Sequence, residues 1–106
     1  MPPAPFSKGG ATVEDTLAPR AAACLKRRGV ERLMVEGGSS LHTRFLAEDL
    51  ADEIHLAIAP FFVGDDRAPR FVRAAEFPQN ATHRMTLAET RPIGDLVFVR
   101  YVISHA

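Results

Sequence analysis

A pair of glycines beside a carboxylate and two hydroxyls is the part of this sequence best suited to chemistry. The run Glu36-Gly37-Gly38-Ser39-Ser40 follows a short apolar stretch and precedes apolar residues at helical spacing. Glycines at this position let the backbone approach a ligand closely, and the helix N-terminus offers unpaired N–H groups to a phosphate. The run matches neither G-x-G-x-x-G nor G-x-x-x-x-G-K-[ST], so a simple packing turn is the structural alternative.

Glu36 favours a ligand site over a simple packing turn. The apolar residues before it predict a buried strand near residues 32–36, which places Glu36 at the carboxyl end of that strand. Open α/β sheets bind their ligands at this edge, and a buried carboxylate needs hydrogen-bond donors. The pattern therefore predicts a ligand site formed by Glu36, the glycines and the start of the following helix.

Other kinds of site are poorly supported by the spacing of the reactive residues. No G-x-S-x-G sequence surrounds Ser39 or Ser40, which argues against a nucleophilic serine. Cys24 is the single cysteine, and it falls on the apolar side of a predicted helix, where a buried thiol is the usual outcome. The histidines show no metal-ligand spacing, so no metal site is predicted: His42, His55, His83 and His105. His42 lies one turn into the helix after the glycines and either faces the ligand or is an ordinary surface residue.

The surrounding pattern predicts an α/β fold with two helices and four strands. A helix begins near Leu17, has Pro19 in its first turn and ends at Gly29 as its C-cap. A second helix begins with Ser39 or Ser40 as its N-cap and ends near residues 48–50. The predicted strands cover residues 32–36, 54–62, 84–90 and 95–103. The first two are predicted to be parallel strands of a β-α-β unit, and the last two to form an antiparallel hairpin.

The order of these elements indicates part of a domain. The chain has 106 residues, which is room for one domain at most. An α/β sheet normally has a strand before its first helix and helices on both faces, whereas here the first element is a helix and only two are predicted. We therefore interpret residues 1–15 as a tail or connector and residues 16–106 as the C-terminal part of a larger domain. The near-continuous apolarity of residues 56–59 predicts a strand covered on both faces.

Composition excludes several classes of partner. Lys+Arg and Asp+Glu both number 13, so the basic excess expected of a protein that binds nucleic acid or an anionic membrane is absent. The longest apolar stretch, residues 54–63, is too short to span a bilayer. A single cysteine excludes an intrachain disulfide and is typical of a reducing cytoplasm.

Five segments in order resemble one family. Residues 29–30, 33–41, 50–54, 58–64 and 94–101 are similar to the reductase domain of riboflavin biosynthesis, the family of 5-amino-6-(5-phosphoribosylamino)uracil reductases. That family is related in fold to dihydrofolate reductase, with a mixed sheet, and the resemblance extends over about residues 17–103. The family's domain begins with a strand-rich half that nothing in this sequence matches, which agrees with the interpretation as a partial domain.

The resemblance implies an NADPH-dependent reductase that converts a ribosylamino-pyrimidine phosphate into its ribitylamino product. It implies that Glu36 contacts the pyrimidine substrate and that the protein is a homodimer or a higher oligomer; the cytoplasmic location is predicted from the single cysteine. It also implies that one continuous segment binds NADPH: Gly37, Gly38, Ser39, Ser40, Leu41, His42, Thr43 and Arg44. It assigns no catalytic residue. Three alternatives remain: a non-catalytic α/β association module, a truncated inactive fragment, and a dihydrofolate-reductase-like enzyme with another substrate.

Overall fold

The mixed α/β class predicted from the sequence is confirmed. A computed structural model of the chain describes residues 13–105, with side chains from residue 19 onward. The elements are α1 (Val13–Arg27), α2 (Ser39–Ala47), β1 (Glu53–Ile58), β2 (Thr86–Ile93) and β3 (Leu96–Val102). They belong to two compact units, one of residues 13–50 with 69–76, the other of residues 51–68 with 77–105. The first unit holds both helices, and the second holds the sheet.

Helix α1 starts earlier than predicted and ends where predicted. It begins at Val13, so Pro19 lies inside the helix and not in its first turn. The C-terminal end is a Schellman motif, in which the N–H of Val30 donates to the Leu25 carbonyl and that of Gly29 to the Lys26 carbonyl, both at 3.0 Å. Gly29 has a φ of 86°, a left-handed conformation that glycine adopts without steric cost. The predicted C-cap is therefore confirmed.

The N-cap of helix α2 differs from the prediction. Its N-cap is Gly38, which has no side chain to accept a hydrogen bond, and Ser39 is already the first residue of the helix. The Ser39 hydroxyl donates to the carbonyl of Arg70 instead of capping the helix. The prediction of a serine N-cap was wrong because this hydroxyl bonds a distant segment of the chain. The end near residues 48–50 is as predicted.

The three strands form an antiparallel sheet in the order β1-β3-β2. Strand β3 is central, and it pairs Tyr101 with Ile54 of β1 and Arg100 with Glu89 of β2. Gly94 and Asp95 connect β2 to β3 in a two-residue turn, and Gly94 has the positive φ of 61° that a type II′ hairpin turn needs at this position. The predicted C-terminal hairpin is confirmed.

The predicted parallel β-α-β unit is not present in the structure. Residues 32–36 form no strand, Leu33 and Met34 are 49% and 74% exposed, and β1 pairs only in antiparallel fashion, with β3. A strand needs a neighbour for its backbone N–H and C=O groups. Within residues 13–105 no segment pairs with residues 32–36, and for that reason their strand-like sequence stays irregular.

Strand β1 is shorter and more exposed than the sequence predicted. It ends at Ile58, because Pro60 lacks the N–H that would extend the ladder, and the Phe61 N–H donates to the Ala59 carbonyl at 2.9 Å. Burial on both faces was also a wrong prediction. Side chains along a strand alternate between faces, and the face of β1 that carries Glu53 and His55 is exposed.

The buried apolar side chains are few, and each unit has its own. Leu46 is buried on helix α2, while Ile54 and Ile103 are buried in the unit that holds the sheet. A main-chain hydrogen bond holds the segments of Ile54 and Ile103 together, because the N–H of Ile103 donates to the Asp52 carbonyl at 2.9 Å. Neither described helix is long and apolar enough to cross a membrane.

Candidate functional site

The N-terminus of helix α2 is a set of backbone donors without a side-chain cap. Gly38 is the N-cap, with φ −84° and ψ −176°, and no side chain bonds the first turn. The first main-chain bond of the helix runs from the His42 N–H to the Gly38 carbonyl at 3.1 Å. The N–H groups of residues 39–41 precede it and have no partner in the helix ladder. The first turn also contains no acidic residue, so the positive end of the helix dipole is not neutralised there.

The two glycines at this site have different surroundings. A Cβ atom on Gly37 would lie 2.6 Å from Cδ2 and 3.0 Å from Cβ of Leu41, whereas a Cβ atom on Gly38 would meet nothing within 4 Å. A side chain at residue 37 would therefore have to displace the Leu41 side chain. Gly38 opens onto free space, where a ligand can reach the backbone. Glu36 is exposed beside them.

Two hydroxyls of helix α2 hold a second segment against its first turns. Ser39 donates to the Arg70 carbonyl, and the N–H of Arg73 donates to Thr43 Oγ1 at 2.7 Å. Thr43 also donates to the Ser39 carbonyl at 2.6 Å. Ser39 and Thr43 are both buried, and their bonds to Arg70 and Arg73 are partly buried, which holds residues 70–73 against the helix.

His42 links this segment to the glycine turn. Its Nδ1 lies 3.1 Å from the Phe71 carbonyl oxygen, and its Nε2 lies 3.4 Å from the backbone nitrogen of Gly37. The imidazole packs on the Phe71 ring with 5.1 Å between the centroids and 50° between the planes. The sequence left open whether His42 faces the ligand or is an ordinary surface residue. In the structure, both of its ring nitrogens bond to groups of the protein itself.

The structure divides the predicted site residues into two sets. Glu36, Gly37 and Gly38 are exposed at the turn, while the polar side-chain atoms of Ser39, His42 and Thr43 bond residues 37 and 70–73 or the helix itself. Ser40 and Leu41 are half-buried on the helix. Arg44 forms an ion pair of 3.5 Å with Glu48, one turn further on.

Sequence reasoning missed the part played by residues 70–73. Arg70, Phe71 and Arg73 take part in these hydrogen bonds through their backbone groups. Backbone carbonyls and amides leave no trace in a sequence pattern. The signal that could have indicated these bonds lies in helix α2. The Ser39-x-x-His42-Thr43 spacing places polar side chains on consecutive turns of that helix.

No group of three or more metal-ligating side chains comes together within residues 13–105. The densest cluster of charges lies on the sheet, where Arg100 contacts Glu53 at 3.5 Å and Glu89 at 3.4 Å, and Arg91 contacts Glu89 at 2.7 Å. The Arg91 guanidinium also lies 5.0 Å from the centre of the Phe98 ring. Arg100 thus pairs with carboxylates on both neighbouring strands, and Arg91 pairs with Glu89 along β2, which is the arrangement of stabilising ion pairs on a sheet.

Comparison with protein families gives one match that covers most of the chain. The model of the RibD C-terminal domain matches residues 12–99. The 2,5-diamino-6-ribosylamino-4(3H)-pyrimidinone 5′-phosphate reductase of Methanothermobacter thermautotrophicus is 36% identical over 76 residues, which is 71% of this chain and 35% of the relative. The enzyme of the same name from Aquifex aeolicus is 42% identical over 53 residues, 50% of this chain and 24% of the relative.

Solved structures resemble the same region. A pyrimidine reductase-like protein from Corynebacterium diphtheriae superposes with a TM-score of 0.68 at 26% identity, over 83% of this chain and 35% of its own. Acinetobacter baumannii RibD superposes with a TM-score of 0.62 at 23% identity, over 74% of this chain and 22% of its own, and shows the fold alone. The chain spans about a third or less of the length of these relatives.

Proposed function

Because the chain belongs to the RibD C-terminal domain family, we propose that it takes part in the NADPH-dependent reduction of a ribosylamino-pyrimidine 5′-phosphate in riboflavin biosynthesis. The proposed substrate is 5-amino-6-(5-phosphoribosylamino)uracil, which becomes the ribitylamino compound. The substrate in the names of the relatives is the diamino-pyrimidinone counterpart, with an amino group where the uracil has an oxygen. Both conversions deliver a hydride to C1′ of the ribose and break the bond between C1′ and the ring oxygen, which takes up a proton and becomes a hydroxyl; NADPH, when bound, would supply the hydride.

The observation that carries the proposal is the uncapped N-terminus of helix α2 beside an exposed glycine. The free N–H groups of residues 39–41 and the open side of Gly38 fit the oxygens of a pyrophosphate. The absence of a carboxylate in that first turn fits an anion as well. We assign cofactor binding to residues 37–44, in which the backbone at the turn contacts the pyrophosphate and the side chains of Ser39 and Thr43 hold the surrounding segments.

We assign substrate binding to Glu36. Its carboxylate is exposed next to the turn, and an ionised carboxylate only accepts hydrogen bonds. The amino and ring N–H groups of a diaminopyrimidine or an aminouracil are the matching donors. Cofactor and substrate then meet at adjacent residues, as hydride transfer requires.

The proposed domain organisation is that residues 16–106 are the C-terminal part of a reductase domain. Helix α1 begins at Val13, so the connector proposed for residues 1–15 ends before that residue. Residues 32–36 support this proposal, because their strand-like sequence has no pairing partner within residues 13–105. The remaining strands of the mixed, dihydrofolate-reductase-like sheet would supply one. We place the protein in the cytoplasm, in agreement with its single cysteine.

The second candidate is a non-catalytic association module. The observation in its favour is the exposed apolar surface of the sheet unit, where Phe61, Phe62 and Val63 are 71%, 99% and 69% exposed. Exposed apolar patches of this kind are typical of surfaces that bind another protein. An association module would present this surface and bind no nicotinamide cofactor.

Titration of NADPH fluorescence separates the two candidates. We expect the full-length gene product to change the emission of NADPH and to oxidise it when either pyrimidine phosphate is added. The 106-residue chain is measured in parallel to locate binding. Absence of any NADPH response in the full-length product would overturn the reductase proposal. Oxidation of NADPH with the aminouracil but not with the diaminopyrimidinone would identify the aminouracil as the substrate. The converse result would identify the diaminopyrimidinone.

A further inference from the structure

We propose that His42 is a positioning residue, which holds the glycine turn in place as a neutral imidazole protonated on Nδ1. The inference rests on the proposed function insofar as the turn binds a cofactor. It assigns His42 a role other than direct ligand contact. Both ring nitrogens of His42 form hydrogen bonds, and one of these bonds runs to a segment that is itself held in place.

The protonation state follows from the bonding partners. The backbone N–H of Gly37 is a donor, so Nε2, 3.4 Å away, has to present its lone pair. The Phe71 carbonyl is an acceptor, so Nδ1, 3.1 Å away, has to carry the hydrogen. Only the neutral Nδ1–H tautomer satisfies both contacts at once, because the imidazolium and the Nε2–H tautomer each place a hydrogen on the nitrogen that faces Gly37.

One end of this link is anchored independently of His42. The Phe71 carbonyl lies between Arg70, whose carbonyl accepts from Ser39, and Arg73, whose N–H donates to Thr43. Ser39 and Thr43 are buried, and they belong to the same helix as His42. The imidazole is therefore held between a helix and a segment that is already attached to that helix, and its position does not depend on the turn.

The other end is the most flexible part of the site. Two consecutive glycines lose more conformational freedom on ordering than any other pair of residues. A hydrogen bond to the Gly37 N–H fixes the plane of the Glu36–Gly37 peptide, because the peptide unit is planar. Fixing this plane also fixes the direction of the Glu36 carbonyl. It sets the position from which the backbone continues through Gly38 into helix α2.

Nitrogen-15 NMR of labelled histidine tests the bonding itself, whether or not NADPH binds. We expect His42 to show the Nδ1–H tautomer, whereas a histidine in water favours Nε2–H. We also expect the Gly37 amide to exchange more slowly with solvent than the Gly38 amide. An Nε2–H tautomer at His42, or equal exchange at the two glycines, would overturn the inference.

Two variants separate the two ends of the link. In His42→Asn the side-chain amide replaces Nδ1 and keeps the bond to Phe71, whereas in His42→Gln it replaces Nε2 and keeps an acceptor for Gly37. We expect His42→Asn to weaken NADPH binding about three- to tenfold, with His42→Gln closer to the wild type. His55→Asn, a histidine replacement on β1, is the matched control and should bind as the wild type does.

The binding experiment distinguishes failure of the inference from failure of the proposed function. Equal loss in His42→Asn and His42→Gln, with normal binding by the wild type, would refute the positioning role and leave the reductase proposal intact. If the wild-type protein shows no response to NADPH, the proposed function fails and the tautomer measurement still decides the role of His42. If either variant fails to fold, the amide exchange of wild-type Gly37 and the tautomer of His42 give the answer.

Discussion

Glu53 and His55 lie on the same face of β1, and the His55 Nε2 is 2.9 Å from a Glu53 carboxylate oxygen. The pKa of Glu53 is lowered below its ordinary value, chiefly by this hydrogen bond; desolvation is the second-largest effect and opposes the shift, while attraction to Arg100 and to His55 adds to it. Arg100 itself lies 3.5 Å from Glu53 across the strand pair. The charged form of Glu53 is thus favoured in the folded protein over the unfolded chain.

A lowered pKa makes the stability of the sheet dependent on pH in acid. Since the folded pKa of Glu53 is below the unfolded value of about 4.3, its contribution is fully present above that value and is lost as the pH falls through the folded pKa. We expect Glu53→Gln to remove this part of the acid sensitivity. Denaturant unfolding of both proteins across the acid range measures the effect.

Two further proteins control this measurement. His55→Ala removes the largest cause of the shift, so the pKa of Glu53, followed by carboxyl NMR, should rise toward its ordinary value. Glu31→Gln changes an exposed glutamate outside the strands and should keep the acid sensitivity of the wild type. A Glu53 pKa that does not move in His55→Ala would contradict the assigned cause.

The close approach of Gly37 to helix α2 predicts a stability difference between the two glycines. Gly37→Ala places a methyl group 2.6 Å from Cδ2 and 3.0 Å from Cβ of Leu41, so we expect the free energy of unfolding to fall by about 1–3 kcal/mol. Gly38→Ala is the matched control, because its Cβ meets nothing within 4 Å and its φ of −84° suits any residue. Chemical denaturation of the two variants gives the comparison.

A second change identifies the cause of that loss. Shortening Leu41 to Ala removes Cδ2 and Cγ, two of the three atoms that a Cβ on Gly37 would meet, so it should recover part of the stability of Gly37→Ala. The double variant would then unfold at a higher denaturant concentration than the sum of the single effects implies. Strict additivity would show that Gly37 is required for another reason.

Local features of the sequence predicted those elements whose bonds are local. The C-cap at Gly29 and the hairpin turn at Gly94 each depend on a glycine with positive φ, which can be recognised from the residue and its neighbours. The glycine turn before α2 was located from the glycine pair itself, although Gly38 has a φ of −84°. A strand cannot be predicted in this way, because residues 32–36 have the composition of a strand and find no partner within residues 13–105.

Distant bonds explain the errors at the candidate site. Ser39 has the residue type and position of an N-cap, yet its hydroxyl bonds a carbonyl 31 residues further along the chain. His42 has contacts at residues 37 and 71. Neither partner is distinguished by its side chain, since both bonds are to the backbone. The sequence located the site through its glycines, but it could not show which polar groups were already engaged within the protein.

The open space at Gly38 predicts a variant that affects ligand binding without affecting the fold. Gly38→Val adds a branched side chain where the structure is empty, so the fold should be kept at the cost of about 1 kcal/mol for an apolar N-cap, while the approach of a pyrophosphate to the backbone is blocked. Loss of N–H contacts to phosphate at about 1.5–3 kcal/mol each predicts at least about a tenfold loss in NADPH affinity. Fluorescence titration and thermal unfolding of the full-length product measure the two properties separately.

Unlike Gly38→Val, the substitution Glu36→Gln should weaken substrate binding and spare NADPH binding. It preserves the shape of the exposed side chain and removes the charge, so we expect the KM for the pyrimidine phosphate to rise while the Kd for NADPH stays near that of the wild type. Steady-state kinetics together with direct NADPH titration separate these constants. Equal damage to both ligands by Glu36→Gln and by Gly38→Val would refute the division of roles between the two residues.

The sheet unit predicts association with a second copy of the chain. Ile58 and Val97 are paired across β1 and β3, point to the same face and are 59% and 44% exposed, and Leu87 on that face of β2 is 53% exposed. The opposite face carries Glu53 and Arg100 and is suited to water. Burying three large apolar side chains against a partner is favourable by about 25 cal/mol for each Å² removed from water. We therefore predict a homodimer or a higher oligomer in light scattering.

A charge placed on either face of the sheet tests this prediction. Val97→Glu introduces a carboxylate into the apolar face and should shift the protein to monomer, because an unpaired charge is costly to bury. Ala57→Glu introduces the same carboxylate on the charged face, one residue away from Ile58 along β1, and should leave the oligomer intact. Retention of the oligomer in both variants would place the interface elsewhere, loss in both would contradict an interface confined to the apolar face, and a wild-type chain that stays monomeric at high micromolar concentration would refute self-association through this face.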